Sequence, residues 1–178
     1  MKNIIRIFFF IFILAVAFTA CTNPNVNDSN SKISADVYLE AIEFDDFAIG
    51  GIMLGTSGEE VKSKMGVPVT TEVDKMECED HYICEYWNYK DSWVYIYDGE
   101  VRGMSSKSTD ICIFDKICPN DNLKKAFEHL GKTKIWPAST DKPPLLNYRS
   151  KNDETCWLWV FLKSDKHTIT ELRLACQP

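Results

Sequence analysis

The sequence predicts an α+β protein of two tandem similar units, each with a short helix or helices packed on an antiparallel sheet of three to four strands. A short helix ending at a glycine is indicated twice, at Gly66 and at Gly131, which lie 65 residues apart (131 − 66). Runs with the two-residue period of strands follow both helices, and Trp93 and Trp157 in those runs lie 64 residues apart (157 − 93). Because the two spacings nearly agree, the pattern favours an internal duplication.

The N-terminus has the features of an exported lipoprotein. Lys2 and Arg6 are followed by an apolar run, and Ala20 supplies the small residue of a cleavage site. The segment Phe-Thr-Ala-Cys resembles the bacterial lipobox, in which the cysteine carries the lipid, and the resemblance implies lipidation at Cys21. The alternative is an uncleaved membrane anchor, but the stretch from Ile4 to Phe18 is 15 residues long even with Arg6 counted, short of the roughly 20 that a spanning helix needs.

After Cys21 the chain is rich in asparagine, serine and aspartate as far as residue 34, a composition typical of a flexible tether. We therefore expect a bacterial cell-envelope protein that is lipid-anchored to a membrane, the outer membrane facing the periplasm if the cell is Gram-negative. The predicted regions are a lipoprotein signal peptide at 1–20, a lipid-anchored tether at 21–34, a first helix-plus-sheet repeat at 35–106 and a second at 107–178.

The first helix is predicted to begin after Ser57 and to end at Gly66. Ser57 can accept a hydrogen bond from a free N–H group of the first turn, and Glu60 lies three residues later, as in a capping box. Gly66 and Pro68 then supply a left-handed cap and a residue that cannot continue the helix. A helix of about two turns is marginal alone in water, so we expect its apolar residue Val61 to lie on the sheet.

Three strand-like runs follow in the first half, and the Asp-Gly pair at 98–99 predicts a tight hairpin between the last two. With that pair as the loop, Tyr95 is expected to lie opposite Arg102, and Trp93 opposite Met104. The predicted strands are Ile83–Lys90, Trp93–Tyr97 and Glu100–Ser106.

The second half contains a corresponding helix, predicted after Asn122, and a hairpin of residues 156–162 with 169–176. If Cys156 lies opposite Cys176, then Trp159 lies opposite Arg173. The same aromatic-with-arginine pairing is predicted for Tyr95 in the first half, and this correspondence supports the duplication.

The cysteine count agrees with export. The chain has seven cysteines, and lipidation of Cys21 leaves an even number for disulfides. We expect Cys156 to bond Cys176 across the second hairpin, and two local bridges within residues 78–84 and 112–118. The alternative is a zinc-binding envelope enzyme, because the first of these segments also contains His81 among possible ligands. The predicted disulfide residues are Cys78, Cys84, Cys112, Cys118, Cys156 and Cys176.

Alternation divides the strand residues into an aliphatic face and an aromatic face. Aliphatic side chains fit closely against helices, which would leave the aromatic face for another protein, because Trp, Tyr and Arg dominate binding hot spots. The alternative is that the large aromatics form the core. The predicted aliphatic face comprises Val94, Ile96, Leu158, Val160, Leu172 and Leu174. The predicted protein-binding residues are Trp87, Tyr89, Trp93, Tyr95, Arg102, Trp157, Trp159, Phe161 and Arg173.

Charge and motifs exclude several functions. Without residues 1–20 the chain has 18 basic and 26 acidic side chains, a net charge of −8, which argues against nucleic acid as a partner. The three histidines lack the spacing of an HExxH zinc site, and the chain has no phosphate-binding glycine loop. We therefore predict that the protein is not an enzyme and holds neither a cofactor nor a metal.

The capped helix with its Gly-x-Pro exit, before an antiparallel sheet on a lipid tether, resembles the BamE/SmpA-like lipoproteins and the tandem-repeat β-lactamase-inhibitor-protein-like (BLIP-like) fold. The residues that carry the resemblance are Ile52, Leu54, Gly55, Ser57, Glu60, Val61, Gly66 and Pro68. The resemblance implies a sheet with one face on helices and one face for protein binding, without catalysis or a cofactor. We expect an inhibitor-like or envelope-assembly module whose partner is an envelope or extracellular protein. A purely structural envelope lipoprotein is the alternative.

Overall fold

A computed structural model describes residues 47–75, 82–140, 142–151 and 153–176, all within the compact unit Lys32–Pro178. These residues form two helices and eight strands. The helices are α1 (Gly58–Met65) and α2 (Leu123–Leu130), and the strands are β1 (Thr70–Val73), β2 (Cys84–Asn88), β3 (Ser92–Tyr97), β4 (Glu100–Ser106), β5 (Ile135–Trp136), β6 (Leu145–Arg149), β7 (Cys156–Leu162) and β8 (Ile169–Cys176).

The strands form one antiparallel sheet in the order β1-β2-β3-β4-β8-β7-β6-β5. The α+β class and the antiparallel sheet are as predicted. The two halves of the chain meet at the β4–β8 pair and share this sheet. Each helix precedes four strands, but in the described residues nothing beyond that order indicates two tandem similar units, so the duplication stays a prediction.

Both helices have the predicted caps. At α1 the Ser57 hydroxyl accepts a hydrogen bond from the Glu60 N–H at 3.3 Å, and Gly66 ends the helix with a φ of 82°. At α2 the Asn122 side chain accepts from the Lys124 N–H at 2.9 Å, and Gly131 has a φ of 86°. The capping residues therefore define two short helices at the predicted positions.

The first residue of α1 packs directly on the sheet. A Cβ atom added at Gly58 would lie 2.6 Å from the Cη2 atom of Trp87, which is buried. Alanine normally stabilises a helix relative to glycine by up to about 1 kcal/mol. Here the added methyl group would overlap a ring that the core holds in place, so close packing excludes it.

We expect Gly58→Ala to lower the free energy of unfolding by about 1–2 kcal/mol, because overpacking outweighs the gain in helix propensity. Urea unfolding followed by far-UV circular dichroism measures this. Ser63→Ala, at an exposed position of the same helix, is the matched control and should change stability by less than about 0.5 kcal/mol. A stabilising Gly58→Ala would contradict the packing described.

The first hairpin has the predicted two-residue turn but not the predicted register. Asp98 and Gly99 both have positive φ, 49° and 83°, as tight hairpin turns require. The register shifts between Tyr95 and Ile96, so that Tyr95 lies opposite Gly103. The predicted pairing of Tyr95 with Arg102 is wrong, because a β-bulge makes Arg102 an extra residue of β4.

The bulge changes the orientation of the rest of β4. Trp93 lies opposite Ser105, whereas Met104 was predicted at that position. Met104 lies opposite Val94 and is fully buried on the aliphatic face. A shift of one residue therefore moved Met104 from the predicted aromatic face to the core.

The second hairpin has the predicted register from Cys156 to Phe161. Cys156 lies opposite Cys176, and Trp159 lies opposite Arg173. A shift occurs only at the far end, beyond Phe161. The aliphatic residues of β7 and β8 therefore share one face, as expected.

The core lies between the aliphatic face and the helices. All six predicted aliphatic residues are buried, together with Val61 of α1 and Leu123 of α2. Phe47, Ile49 and Ile52 complete this layer from the segment before α1. The aliphatic face is therefore the one that carries the helices. Among the described residues, neither helix has the length and apolar content needed to cross a membrane.

Candidate functional site: the outer face of the sheet

The side of the sheet opposite the helices, which we call the outer face, is rich in aromatic residues. Its central row runs across five strands, from Trp93 through Ser105, Arg173 and Trp159 to Asn147. Because side chains alternate along each strand, the rows two residues away from this one lie on the same side of the sheet. The outer face includes Tyr86, Trp93, Tyr95, Ser105, Leu145, Asn147, Trp157, Trp159, Phe161, Glu171 and Arg173.

Trp87 does not belong to the outer face, contrary to the prediction. It lies opposite Val94 and is buried among the core residues. Its indole N–H donates to Glu85 at 2.8 Å, and the Lys62 ammonium lies 4.7 Å from its ring centroid. The four-residue connection between Asn88 and Trp93 determines which residues of β2 share a face of the sheet with which residues of β3. The sequence pattern does not predict the conformation of that connection.

Tyr89 is also misplaced in the prediction. It follows β2 on the helix side of the sheet, where it packs against the core and lines a cleft of about 600 Å³. Its hydroxyl donates to the Gly66 carbonyl at 3.3 Å, and burial raises its pKa. Arg102 is exposed at the bulge, with its guanidinium 6.0 Å from the Tyr97 ring, and is not paired with Tyr95.

Tyr86 is an aromatic residue of the outer face that the sequence did not predict there. Its ring centroid lies 4.7 Å from that of Tyr95 and 5.8 Å from that of Trp93, the latter in an edge-to-face arrangement. Tyr95 is almost covered by such contacts and retains 7% exposure. Tyr86 and Trp87 are adjacent in β2, so their side chains lie on opposite faces of the sheet. Assigning Trp87 to the aliphatic face would have placed Tyr86 on the outer face.

Arg173 occupies the centre of the outer face. Its guanidinium carbon lies 5.5 Å from the Trp93 ring centroid and 4.9 Å from that of Phe161, on the two sides of β8. Both distances allow a cation–π interaction. Arg173 also donates from Nε and Nη2 to one carboxylate oxygen of Glu171, at 3.1 and 2.6 Å. The side chain is therefore held between two rings and a carboxylate.

Glu171 is a charged residue that is 8% exposed, which requires compensation by hydrogen bonds and opposite charge. The Ser105 hydroxyl donates to its Oε1 atom at 2.6 Å, and Lys107 lies 3.6 Å from Oε2. Ser105 and Lys107 come from β4 and the residue after it, whereas Glu171 and Arg173 come from β8. This network therefore joins the two halves of the sheet on its outer face.

Trp157 and Trp159 form the other aromatic cluster of the outer face. Their rings are parallel to within 6°, with centroids 6.1 Å apart. Both are half-buried, and Trp136 at the sheet edge is 36% exposed. A hollow of about 270 Å³ lies between Trp159 and Trp136, with Asn147 at its wall. The aromatic surface thus extends from β2 to β5.

Six of the nine predicted binding residues are brought together on the outer face, two lie on the helix side, and Arg102 lies at the bulge. The six are Trp93, Tyr95, Trp157, Trp159, Phe161 and Arg173. Tyr95 and Phe161 are buried within the face, so fewer rings reach solvent than predicted.

Two of the three predicted disulfides join described residues, and both are present, Cys112–Cys118 and Cys156–Cys176. Cys84 is disulfide-bonded, while Cys78 lies outside the described residues. The predicted lipidation site Cys21 also lies outside them.

Among the described residues, the cysteines at the two candidate metal positions, near Asp153 and at Cys84, are disulfide-bonded and offer no free thiolate. Asp153 has a carboxylate oxygen within 4.8 Å of the sulfurs of Cys156 and Cys176, but those sulfurs are bonded to each other. His81, the histidine of the zinc alternative, lies outside the described residues, and Cys84 is disulfide-bonded. Zinc binds the free thiolate, so Cys84 cannot act as a ligand in this form.

No family model matches the chain, and no curated protein matches it. One similar solved structure is an extracellular protein containing an SCP domain from Bacillus anthracis, with 13% identity and a TM-score of 0.47 over 69% of this chain and 44% of the other. A second is a cysteine-rich secretory protein from Staphylococcus aureus, with 12% identity and a TM-score of 0.43 over 70% of this chain and 43% of the other.

The chain spans less than half the length of either matched protein. Neither protein is a BamE/SmpA-like lipoprotein or has the BLIP-like fold, so the resemblance predicted from the first helix is wrong. The capping residues and the Gly-x-Pro exit specify only where a short helix begins and ends. Such a helix can pack on sheets of many different folds.

Proposed function

We propose that this chain is a membrane-tethered module of the bacterial cell envelope, lipid-anchored through Cys21, that binds another envelope or extracellular protein with the outer face of its sheet. One observation carries the proposal. The helices cover the aliphatic face, while tryptophans and tyrosines stand half-buried on the opposite face. Trp, Tyr and Arg are the residues that most often supply the energy of protein–protein binding.

The order already present around Arg173 supports this proposal. Its guanidinium contacts two rings and a buried carboxylate before any partner binds. A side chain held in this way loses little conformational entropy on binding, which improves affinity. The Arg173 guanidinium, flanked by Trp93 and Phe161, is therefore the proposed centre of the interface, and Trp157 and Trp159 are its second anchor.

Disulfides support the proposed location. Cys112–Cys118 and Cys156–Cys176 are bonds that persist in oxidising compartments outside the cytoplasm. Together with the lipobox at Cys21, they favour the cell envelope. The finer prediction of two similar repeats, 35–106 and 107–178, also belongs to the proposal, supported by the order of one helix and four strands in each half.

Capture from the native envelope tests the function. The full chain is compared with Trp159→Ala and with Arg173→Lys, which keeps the charge near Glu171 but loses the planar guanidinium. We expect either change to weaken binding of the captured partner about thirtyfold, equivalent to about 2 kcal/mol. Titration of the partner against each purified variant gives the affinities.

Met53→Ala is the matched control, because Met53 is an exposed apolar residue outside the sheet. It should bind like the wild type. All variants must retain the wild-type circular dichroism spectrum before binding is compared. Equal recovery of every captured protein by the wild type, Trp159→Ala and Arg173→Lys would rule out the outer face as the binding surface.

A further inference from the structure

Two hollows lie on the outer face, one on each side of Trp159. The first, which we call the edge hollow, has a volume of about 270 Å³ and lies between Trp159 and Trp136. The second, which we call the inner hollow, has a volume of about 180 Å³ and is lined by Trp157, Trp159, Ala175 and Cys176. The Trp159 side chain therefore separates two concave surfaces with mostly apolar walls.

The loop that forms one wall of the edge hollow is constrained. Pro137 and Pro143 belong to this wall, and proline fixes the backbone φ angle. Between them, Ser139 and Lys142 are joined by two backbone hydrogen bonds, of 2.9 and 3.3 Å. A wall held in this way loses little conformational entropy when a ligand binds, which favours affinity.

The side chains around the two hollows offer more hydrogen-bond donors than acceptors. In the described part of the chain, the indole N–H groups of Trp136, Trp157 and Trp159 donate to no protein group. The side-chain carbonyl oxygen of Asn147 is buried and out of reach of a ligand. No carboxylate lines either hollow, so the Ser139 hydroxyl is the side-chain acceptor among the lining residues. A ligand that fits must therefore supply acceptors to the indoles.

The spacing of the hollows matches one turn of a polyproline II helix. The edge hollow is centred over β6, and the inner hollow lies between β7 and β8. The hollows are also offset by about two residues along the strands, because Leu145 lines the first and Trp157 the second. Strand geometry therefore places their centres roughly 10 Å apart. A polyproline II helix repeats every three residues, or about 9.3 Å, so its residues i and i+3 reach both hollows.

We propose that the partner binds through a proline-rich segment in the polyproline II conformation, with two prolines three residues apart in the edge hollow and the inner hollow. This inference rests on the function proposed above and names the chemistry of the partner's segment. Proline rings pack on aromatic side chains. The polyproline II backbone makes no internal hydrogen bonds, so its carbonyl groups can accept from the indole N–H groups.

Charge and hydrogen bonding disfavour the other ligands that aromatic surfaces bind. A cation is attracted to aromatic faces, but Lys142 lines the edge hollow and makes no ion pair within the described residues. The hydroxyl groups of a glycan donate as well as accept, and the hollows offer few acceptors to receive them. Proline has no N–H, so a proline-rich segment leaves few donors without a partner.

Titration of the full chain with octaproline tests the inference directly. In a two-dimensional N–H correlation spectrum each indole N–H gives its own resonance. Octaproline should shift the resonances of Trp136, Trp157 and Trp159 saturably. The Trp87 resonance should stay unchanged, because that N–H donates to Glu85. A glycine-serine peptide of the same length, which is a flexible coil, should shift none of them.

Two variants locate the octaproline site. Trp159→Ala should lower the affinity for octaproline at least about tenfold, because Trp159 lines both hollows. Arg173→Lys is the matched control, because Arg173 lines neither hollow, and it should change the affinity less than about twofold. Octaproline should also displace the protein that the wild type captures from the envelope.

The absence of a saturable shift with octaproline would overturn the inference, and so would a Trp159→Ala variant that binds octaproline like the wild type. If chitotetraose shifted the three resonances and octaproline did not, the hollows would be a glycan site. A captured protein that requires Trp159 but is not displaced by octaproline would overturn this inference and leave the proposed function intact. Octaproline binding without any capture that depends on Trp159 would contradict the proposed function and leave the hollows as a site for proline-rich segments.

Discussion

Replacing Cys156 and Cys176 together by alanine is expected to lower the free energy of unfolding by about 3 kcal/mol, the value that chain entropy predicts for a disulfide closing a loop of this length. The two cysteines are 20 residues apart in sequence. They lie opposite each other where β7 and β8 pair, next to the β4–β8 contact that joins the halves of the sheet. Loss of the bond raises the conformational entropy of the unfolded chain and removes no buried apolar surface elsewhere in the fold. Urea unfolding of the oxidised proteins measures the difference.

The matched control is the other disulfide. Cys112 and Cys118 are 6 residues apart, so the same entropy argument gives about 2 kcal/mol for their double replacement by alanine. We therefore expect the Cys156–Cys176 variant to be the less stable of the two. The reverse order, or a loss under about 1 kcal/mol at Cys156–Cys176, would contradict this account of how the hairpin is stabilised.

The two hairpins show where the sequence was sufficient for prediction. In the second hairpin a cysteine at each end specifies the register, and the apolar alternation agrees with it, so every predicted pair is present. In the first hairpin the Asp-Gly turn is present, but the bulge adds Arg102 to one strand. A bulge depends on twist and on neighbouring strands, and the residues of the turn do not encode it.

Three strands were not predicted individually, namely β1, β5 and β6. β1 contains no buried residue and β5 is two residues long. β6 alternates correctly but follows two prolines, Pro143 and Pro144. Short or exposed strands lack the periodic signal on which such predictions depend, and their existence is determined by the longer strands beside them.

The buried carboxylate of Glu171, beside Arg173 on the outer face, was not predicted for a related reason. Glu171 occurs in an alternating strand, where a charged residue normally indicates a solvated face. Its burial depends on Ser105 and Arg173, and Ser105 comes from a strand 66 positions away in the chain. Sequence pattern identified Arg173 but not the partner that orients it.

The orientation of the sheet leads to the last expected result. Leu172→Ala should lower the free energy of unfolding by about 2–5 kcal/mol, because Leu172 is fully buried against the helices and its removal leaves a cavity. Leu145→Ala makes the same chemical change at a half-buried position opposite Phe161, on the outer face. There solvent fills the space, so we expect a loss of about 1 kcal/mol. Urea unfolding of both variants gives the comparison.

Trp159→Ala extends this test to the proposed binding surface. Trp159 is half-buried and stacks on Trp157, and the loss of one aromatic contact typically costs about 0.5–1.5 kcal/mol beyond area burial. We expect its effect on unfolding to stay below that of Leu172→Ala, although its ring is larger. If Trp159→Ala or Leu145→Ala unfolded the protein while Leu172→Ala were tolerated, the aromatic face would be the core of the molecule. The outer face could then not serve as a binding surface.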